Sequence, residues 1–313
     1  MGWLPFWPPN ASVTGTTVDI LAIGELIVIL LMLLLVFGMM FTFVIKYRRG
    51  SAADRSHLAR KTWRFEIAWT GATLFAFLVL FAFGARAYLY LYQPPKADLE
   101  LYIVGKQWMW KVQYPGGERE IDSLHLPLGK TVRVLLGSED VIHGFYIPAF
   151  RVKHDVVPGT YEAFWFKPTE LGSFRIECSQ YCGTQHATMT GAVHVLTPAD
   201  FAQWLSSQGG DQTLAHQGDA LFRQYGCSGC HSQRSTIHAP ILDGLYGSVV
   251  HLANGRAVIA DERYIRDCIL LPANQRVAGY PPVMPSFAGQ IPEDDLMKLV
   301  AYIQSLGATK ETP

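Results

Sequence analysis

Two long stretches of the chain are apolar on every side, and the rest is patterned. Ile20 to Ile45 is interrupted only by Gly24, Glu25, Gly38 and Thr42, and Ile67 to Tyr92 is a second run whose only glycines and charge are Gly71, Gly84 and Arg86. Each exceeds the roughly 20 residues that span a bilayer core. A soluble core helix keeps a polar face, so the two runs predict a transmembrane hairpin rather than two buried helices. The first is also too long for the apolar region of a signal peptide, and no small-residue cleavage site follows it.

From Lys96 to about Leu196 the pattern shortens. Leu99–Val104, Thr131–Leu136, Tyr161–Phe166 and Ala192–Leu196 are runs of β-branched, aromatic and aliphatic residues, separated by turn signals such as Pro115-Gly116-Gly117 and Pro158-Gly159. Short strands punctuated in this way predict an antiparallel β-sandwich. After Leu196, Thr197-Pro198 opens a short capped helix, and Ser206 to Gln212 reads as a flexible linker. Asp219 to Tyr225 reads as helix, and Pro292 to Leu306 as an amphipathic helix with acids in its first turn.

Length and charge sharpen this picture. The 313 residues suit two or three domains. Lys and Arg number 26, Asp and Glu 26, for a net charge of +0, so no nucleic-acid partner is expected. The local distribution matters more. Between the apolar runs lie Lys46, Arg48, Arg49, Arg55, Arg60, Lys61 and Arg64 against only Asp54 and Glu66. Short loops rich in Lys and Arg stay on the cytoplasmic side, so both termini and everything after Tyr92 are expected on the outer face. Tyr88, Tyr90 and Tyr92 form an interfacial belt there, and Arg86 snorkels to the same surface.

Five cysteines are too few for a disulfide scaffold, but their spacing carries chemistry. Cys178, Cys182, His186 and Met189 fall within twelve residues, with His143 upstream as a second imidazole. Soft sulfur with imidazole suits copper or zinc. A disulfide between Cys178 and Cys182 and a structural zinc are the simpler alternatives, although zinc would not need Met189. A single blue-copper ion needs one cysteine, two histidines and a weak methionine. The second cysteine allows each thiolate to bridge a pair of copper ions, with one histidine capping each ion. Further on, Cys227-Ser228-Gly229-Cys230-His231 is the C-x-x-C-H motif that attaches haem c, with His231 as proximal ligand. A redox dithiol would not need the adjacent histidine. Met284, in Pro281-Pro282-Val283-Met284, supplies the second axial ligand; His/Met ligation suits electron transfer. Cys268 reads as a small packing residue. Met297 and His57, His125, His154, His194, His216, His238 and His251 read as packing or surface residues.

The loop C-x-x-x-C-x-x-x-H-x-x-M, with Asp140-Val141-Ile142-His143, Lys153-His154-Asp155-Val156-Val157-Pro158-Gly159, Gln107-Trp108-Met109-Trp110 and the two-helix anchor, resembles the CuA-containing cytochrome c oxidase subunit II family of bacterial type. That likeness covers roughly Asp19 to Leu196. From Leu214 to Leu306 the chain resembles class I cytochromes c, with Gly226 and Tyr302 fitting as well. The resemblance implies that Cys178 and Cys182 bridge two coppers. It makes His143 and His186 their caps, Met189 a weak axial ligand and the Gln180 main-chain carbonyl a further one. The family often has a glutamate where Gln180 stands; its side chain contacts a magnesium shared with subunit I, and the change puts that contact in question. Trp108 matches the tryptophan that admits electrons, and Met109 replaces a residue that is often aromatic. Glu66, in Glu66-Ile67-Ala68-Trp69, resembles the family's E-x-x-W at the mouth of a proton channel; a helix N-terminus also favours an acid for its dipole alone.

The expected architecture is thus multi-domain. It comprises an N-terminal segment (1–18), a two-helix transmembrane hairpin (19–93), a cupredoxin-like antiparallel β-sandwich holding CuA (94–197), a linker (198–213) and an all-α cytochrome c domain (214–313). The resemblance implies the electron-input subunit of a haem-copper cytochrome c oxidase in a bacterial inner membrane. Its partners would be the catalytic subunit I, other oxidase subunits, and an upstream cytochrome c or cytochrome c-reducing complex. Electrons would pass from haem c by way of Trp108 or its neighbours to CuA. The oxygen-reducing site would lie in the catalytic subunit, because this chain lacks the further membrane helices needed to house it. The alternative acceptor is the catalytic chain of a CuA-type nitric oxide reductase.

Overall fold

The computed structural model describes residues 7–54, 63–208, 213–233 and 235–307. Arg55, Arg60 and Lys61 of the basic loop, and 209–212 of the expected linker, lie outside the described residues. The chain divides into two compact units, Val13–Pro94 and a second that joins the segment up to Ser12 with everything from Pro95.

The first unit is a helical hairpin. Helices α1 (Val13–Lys46) and α2 (Trp63–Tyr92) are both long and apolar enough to cross a membrane. At 1.5 Å per residue, α1 is about 50 Å long, more than the bilayer core requires. It begins at Val13, ahead of the apolar run, because Thr14 to Asp19 contains no helix breaker other than Gly15. Lys46 closes α1 and Glu66 lies in the first turn of α2, each the charge that the local helix dipole favours.

The second unit begins with a sandwich of two five-stranded sheets. One runs β3 (Arg119–Ile121), β2 (Met109–Gln113), β1 (Leu99–Lys106), β5 (Val132–Ser138), β8 (Glu162–Phe166). The other runs β4 (Ser123–Pro127), β10 (Thr190–Leu196), β9 (Gly172–Cys178), β6 (His143–Ile147), β7 (Val152–Val156). Most neighbours are antiparallel, as the turn signals predict, but β1 pairs β5 and β4 pairs β10 in parallel. The chain leaves the first sheet for β4 and re-enters beside β1 in the same direction, and such a crossover imposes a parallel pair. Leu101, Ile103, Trp110, Val134, Phe145 and Ile176 fill the space between the sheets. Strand β1 departs from strict alternation: Leu101 through Gly105 are all buried, so its outer face is covered as well.

The segment before α1 is stitched to this sandwich. Ala11 N–H donates to the Ala149 carbonyl at 2.8 Å, Thr169 N–H donates to the Ala11 carbonyl at 2.9 Å, and Ser12 Oγ donates to the Phe150 carbonyl at 2.8 Å. The Arg151 guanidinium donates to the carbonyls of Pro8, Pro9 and Pro148 at 2.8, 3.0 and 2.6 Å.

Beyond β10, α3 (Pro198–Ser207) is capped by Thr197, which accepts from Asp200 N–H at 3.2 Å. The last region holds α4 (Leu214–Gln224), α5 (Ser228–His231), α6 (Glu262–Leu270) and α7 (Glu293–Ser305). Thr213 and Asp261 cap α4 and α6, and Glu293, Asp294 and Asp295 occupy the first turn of α7. This region is helical as expected, apart from a small antiparallel ribbon of β11 (Val249–His251) and β12 (Ala257–Ile259).

His154, on β7, has a consequence for stability. Its ring stacks on Phe164 with centroids 4.1 Å apart, and Nδ1 lies 3.5 Å from Glu162. Burial holds this imidazole down at about 4, against an ordinary 6.5, with Asp155 opposing. As pH falls, the unfolded chain therefore takes up the proton first. The contribution of the neutral ring is complete above about pH 6.5 and is lost as pH falls towards 4. At full extent it is on the order of 3 kcal/mol. Thermal unfolding of the purified chain between about pH 7 and 4.5 should show this loss, and His154→Phe should flatten it. A His154→Phe profile identical to wild type would rule out this source.

Candidate functional site

Two constellations stand out in the second unit. The first lies at one end of the sandwich, where β9 ends in Cys178 and the chain returns through a loop to β10. Cys178 N–H donates to the Met189 carbonyl at 3.1 Å, and Ser179 N–H donates to the Gly144 carbonyl at 2.8 Å, so the loop is closed at its base and pinned to β6. A side chain on Gly144 would bring a Cβ within 3.0 Å of Gln180 N; only glycine lets the strand lie this close to the loop. His143 opens β6 directly beside it.

The loop brings together the ligand set expected from the sequence. Cys178 Sγ and Cys182 Sγ are 3.7 Å apart, and Cys182 Sγ is 3.6 Å from His186 Nδ1 and 3.7 Å from Met189 Sδ. The Gln180 carbonyl accepts from Cys178 Sγ at 3.2 Å. A ring nitrogen of His143 and both sulfurs lie within 4.8 Å of one another. His143, Met189 and both cysteines are buried, whereas His186 is half-buried and Tyr181 beside it is exposed. The centre therefore sits just beneath a surface loop.

Two features fit this pocket to a metal. His143 is fully buried; its Nε2 is taken by Asp140 Oδ1 at 2.8 Å, and its Nδ1 has no hydrogen-bond partner and faces the sulfur side. A buried ring nitrogen without a partner is costly unless something else occupies its lone pair. The thiols supply the second feature. Burial raises both, but at Cys178 the adjacent His143 ring and backbone hydrogen bonds at Gly144 and Gln180 outweigh it and hold the group at about 6. At Cys182 the neighbouring sulfur adds to burial and pushes the thiol up to about 12. Two thiolates this close do not ionise together without a cation, and a coordinated thiol is deprotonated outright. A thioether beside two sulfurs and imidazoles suits copper better than zinc.

Trp108 lies against this loop. Its indole Nε1 donates to the Cys182 carbonyl at 3.2 Å, and the Gln107 side-chain amide donates to the same oxygen at 2.7 Å. Asp140 holds the His143 ring and also accepts from the Gln107 and Val141 backbone N–H groups at 2.8 and 2.6 Å. The sequence reading named Gln107 and Asp140 only as parts of motifs. The signal for Asp140 was its spacing, three residues before a candidate ligand histidine, because ligand histidines usually donate their second nitrogen to a carboxylate. Asp140→Asn is expected to weaken copper binding by roughly 10–100-fold. Competitive copper titration would check it, and unchanged affinity would remove Asp140 from this role.

The second constellation is a cleft of about 520 Å³ in the C-terminal region, walled mainly by apolar side chains and in the size range of cofactor sites. Cys227, Cys230, His231 and Met284 all line it. His231 Nδ1 hydrogen-bonds the Pro240 carbonyl at 2.8 Å, which fixes the ring and leaves Nε2 as the free ligand nitrogen. Two thiols, an oriented imidazole and a thioether around one apolar cleft fit a covalently attached haem. Sequence reading missed Pro240, since a backbone acceptor leaves no side-chain signature. Cys268 also borders the cleft; burial pushes its thiol up to about 11, in keeping with a packing role. Glu66 lies on α2, in the other unit.

The comparisons divide along the same lines. Residues 118–196 match the family model for the periplasmic domain of cytochrome c oxidase subunit II, and residues 215–307 match the cytochrome c model. Cytochrome c oxidase subunit 2 of Alkalihalophilus pseudofirmus is 28% identical over 305 residues, covering 90% of this chain and 85% of the relative. The alternative cytochrome c oxidase subunit 2 of Bradyrhizobium diazoefficiens is 34% identical over 145 residues, covering 36% of this chain and 52% of the relative. Among solved structures, the periplasmic domain of subunit II of cytochrome oxidase from Bradyrhizobium japonicum is 34% identical, with a TM-score of 0.37 over 39% of this chain and 100% of that one.

Proposed function

We propose that this chain, which belongs to the cytochrome c oxidase subunit II family in a form carrying its own cytochrome c domain, is the electron-input subunit of a haem-copper oxidase. It takes electrons from an upstream donor at the haem cleft and passes them to the copper loop, from which they continue to the catalytic subunit. The observation that carries this reading is the coexistence, in one compact unit, of two complete ligand sets for redox groups.

Cys178, Cys182, His143, His186, Met189 and the Gln180 carbonyl would hold two copper ions. Cys227 and Cys230 would bond haem c, and His231 and Met284 would ligate its iron. When bound, the groups supply one-electron redox centres. The chain's own work is to hold them still. Asp140 fixes one imidazole and Pro240 the other, the sandwich pins the copper loop at both ends, and burial excludes bulk water from both cysteines of that loop. Trp108, bonded to the Cys182 carbonyl, offers an aromatic surface at the edge of the copper loop. Pro8, Pro9, Ala11 and Ser12 are stitched to the same sandwich that carries the copper loop, which supports an outer-side N-terminus and hence two crossings with the basic loop inside.

We place Glu66 at the mouth of a proton channel in the catalytic subunit. Glu66→Gln should slow steady-state turnover several-fold while leaving haem-to-copper electron transfer unchanged. Equal turnover in the two proteins would leave Glu66 a dipole-complementing residue alone.

The test of the whole reading is to purify the full chain with its catalytic partner and record low-temperature EPR and oxygen uptake. A hyperfine pattern from one electron shared by two coppers, a low-spin haem c signal and oxygen consumption are expected. Nitric oxide consumption without oxygen uptake would move the chain to a nitric oxide reductase. A single-copper pattern would remove the CuA assignment.

A further inference from the structure

The inner face of β1 ends in a residue with no side chain. Leu101 and Ile103 fill the space between the sheets, and Gly105 follows them at the same period. The φ of Gly105 is not in the left-handed region, so the backbone does not demand glycine there. The space above it does. A Cβ on Gly105 would lie 3.0 Å from His143 Cδ2, 3.3 Å from His143 Cγ and 3.1 Å from Trp110 Cζ3. A close-packed interior does not absorb such crowding without moving a side chain.

Trp110 stands opposite Gly105 in the register of β1 with β2 and is fully buried. Its ring meets the His143 ring edge-on, with centroids 5.9 Å apart and planes at 64°, and the Phe145 ring at 5.0 Å and 85°. Contacts of this geometry are favourable in one relative orientation and so hold neighbouring rings in place. The indole also carries a cost: its Nε1 is buried with no hydrogen-bond partner among the described residues. Phenylalanine would fill an apolar slot without that cost. What the indole adds is breadth, because Cζ3, on its six-membered ring, is the atom that reaches the hollow over Gly105. The Gly105 main chain acts in the same place. Its carbonyl accepts from Glu139 N–H at 3.0 Å, which ties β1 to the segment 139–143 that carries Asp140 and His143.

His143 is thus held on three sides. Gly105 meets the Cγ–Cδ2 edge of its ring, Asp140 takes Nε2 at 2.8 Å, and Trp110 lies against the ring. The edge left open carries Nδ1, buried without a hydrogen-bond partner and turned to the cysteine sulfurs. The other histidine is placed differently: His186 lies on the loop itself, half-buried, with the exposed Tyr181 as its ring neighbour at 5.7 Å. We propose that Gly105 and Trp110 are positioning residues for the copper centre: the hollow over Gly105 and the breadth of Trp110 set the plane of the His143 imidazole, so that the sandwich dictates the geometry at one copper and the loop dictates it at the other. A ligand must be held within roughly 0.5 Å of its productive place by packing around it, and a methyl group at Gly105 acts on that scale. The proposal rests on the reading that His143 caps a copper ion, and its test separates the two.

The full chain in detergent is loaded with copper, and its low-temperature EPR spectrum and its copper affinity by competitive titration are recorded. Gly105→Ala is expected to change the copper hyperfine pattern and to weaken copper binding at least about tenfold, the lower end of what loss of an outer-shell support produces. Trp110→Phe, which keeps a ring but not its breadth, should change both in a smaller measure. In Gly105→Ala/Trp110→Phe the smaller ring leaves room for the methyl group, and affinity should return to within about threefold of Trp110→Phe alone, because residues in contact are not additive. Gly137→Ala on β5 is the steric control. Its Cβ would crowd Tyr161 and Met297 at 3.1 and 3.2 Å and meets no candidate ligand, so it should lower the unfolding temperature while copper spectrum and affinity stay at wild type. Wild-type hyperfine pattern and affinity in Gly105→Ala, or the same spectral change in Gly137→Ala, would overturn the proposal. A second readout needs no metal. In the copper-free chain with isotope-labelled histidine, the Nε2–H proton that His143 gives to Asp140 should resonate as a slowly exchanging signal, assigned by its loss in His143→Gln. Gly105→Ala should shift it and speed its exchange at least about tenfold, and Gly137→Ala should leave it in place. A wild-type chain without a shared-electron copper signal fails the copper reading alone; an unchanged His143 resonance in Gly105→Ala sinks the positioning role itself.

Discussion

Cys182→Ser is expected to abolish the shared-electron copper signal and to slow electron delivery to the catalytic partner by more than the roughly 100-fold that loss of an outer-shell ligand partner produces. The reason is the position of this sulfur. Cys182 Sγ lies within 3.7 Å of Cys178 Sγ, His186 Nδ1 and Met189 Sδ, so three candidate ligands converge on one atom. Serine offers a hard oxygen that stays protonated, and copper in a sulfur site selects soft thiolate. What survives is the half-site of Cys178 and His143, enough for one copper at most. The fold should tolerate the change, because the contacts that anchor this part of the loop run to main-chain atoms: Gln107 and Trp108 both donate to the Cys182 carbonyl, which serine retains. The measurement is the copper-to-haem ratio with EPR on the purified full chain. Fewer than two coppers per haem with an unchanged haem spectrum is expected. Two coppers with the wild-type hyperfine pattern would show that Cys182 is not a bridging ligand.

Much of this arrangement was legible in the sequence because the chemistry is local. The Cys178–Met189 loop packs four candidate side-chain ligands into twelve residues, and C-x-x-C-H packs three candidates into five, so spacing alone groups them. The two apolar runs are legible for the same reason: a bilayer demands an uninterrupted stretch. His143 required more, since it reaches the loop only through the pairing of β6 with β9, Phe145 opposite Cys178, and strand pairing is not written in local pattern. Pro240 left no trace, because it acts through a carbonyl that every residue has. The burial of β1 on both faces was also invisible. Tyr102 and Val104 read equally well as strand residues facing water, and only α6 and α7, roughly 160 to 200 residues later, explain why they are apolar. The parallel pairings of β1 with β5 and β4 with β10 depend on a crossover between sheets, which turn signals do not encode.

Removing both haem thiols, by Cys227→Ser/Cys230→Ser, is expected to cost the copper domain stability as well as the haem. The cleft of about 520 Å³ that these residues line is walled mainly by apolar groups, and those walls meet water unless a bound ligand covers them. Without covalent haem, α4 to α7 lose the centre they pack around. The surface they cover is part of the sandwich. Tyr102, Val104, Leu135 and Tyr161 would return to water, and Glu262 would leave Arg133 with Glu100 alone. Each large side chain re-exposed costs about 1.5–3 kcal/mol, an upper bound because unfolded chains keep some burial. Several together are comparable with the whole stability of an average domain. The copper centre should therefore report damage at a distance: in the double variant, copper EPR should bleach at a temperature several degrees below that of wild type. If the haem domain were an independent module on a tether, the variant would lose its haem spectrum while copper bleached at the wild-type temperature. The coupling between the two transitions thus measures how far one chain has made two redox domains into a single folded body.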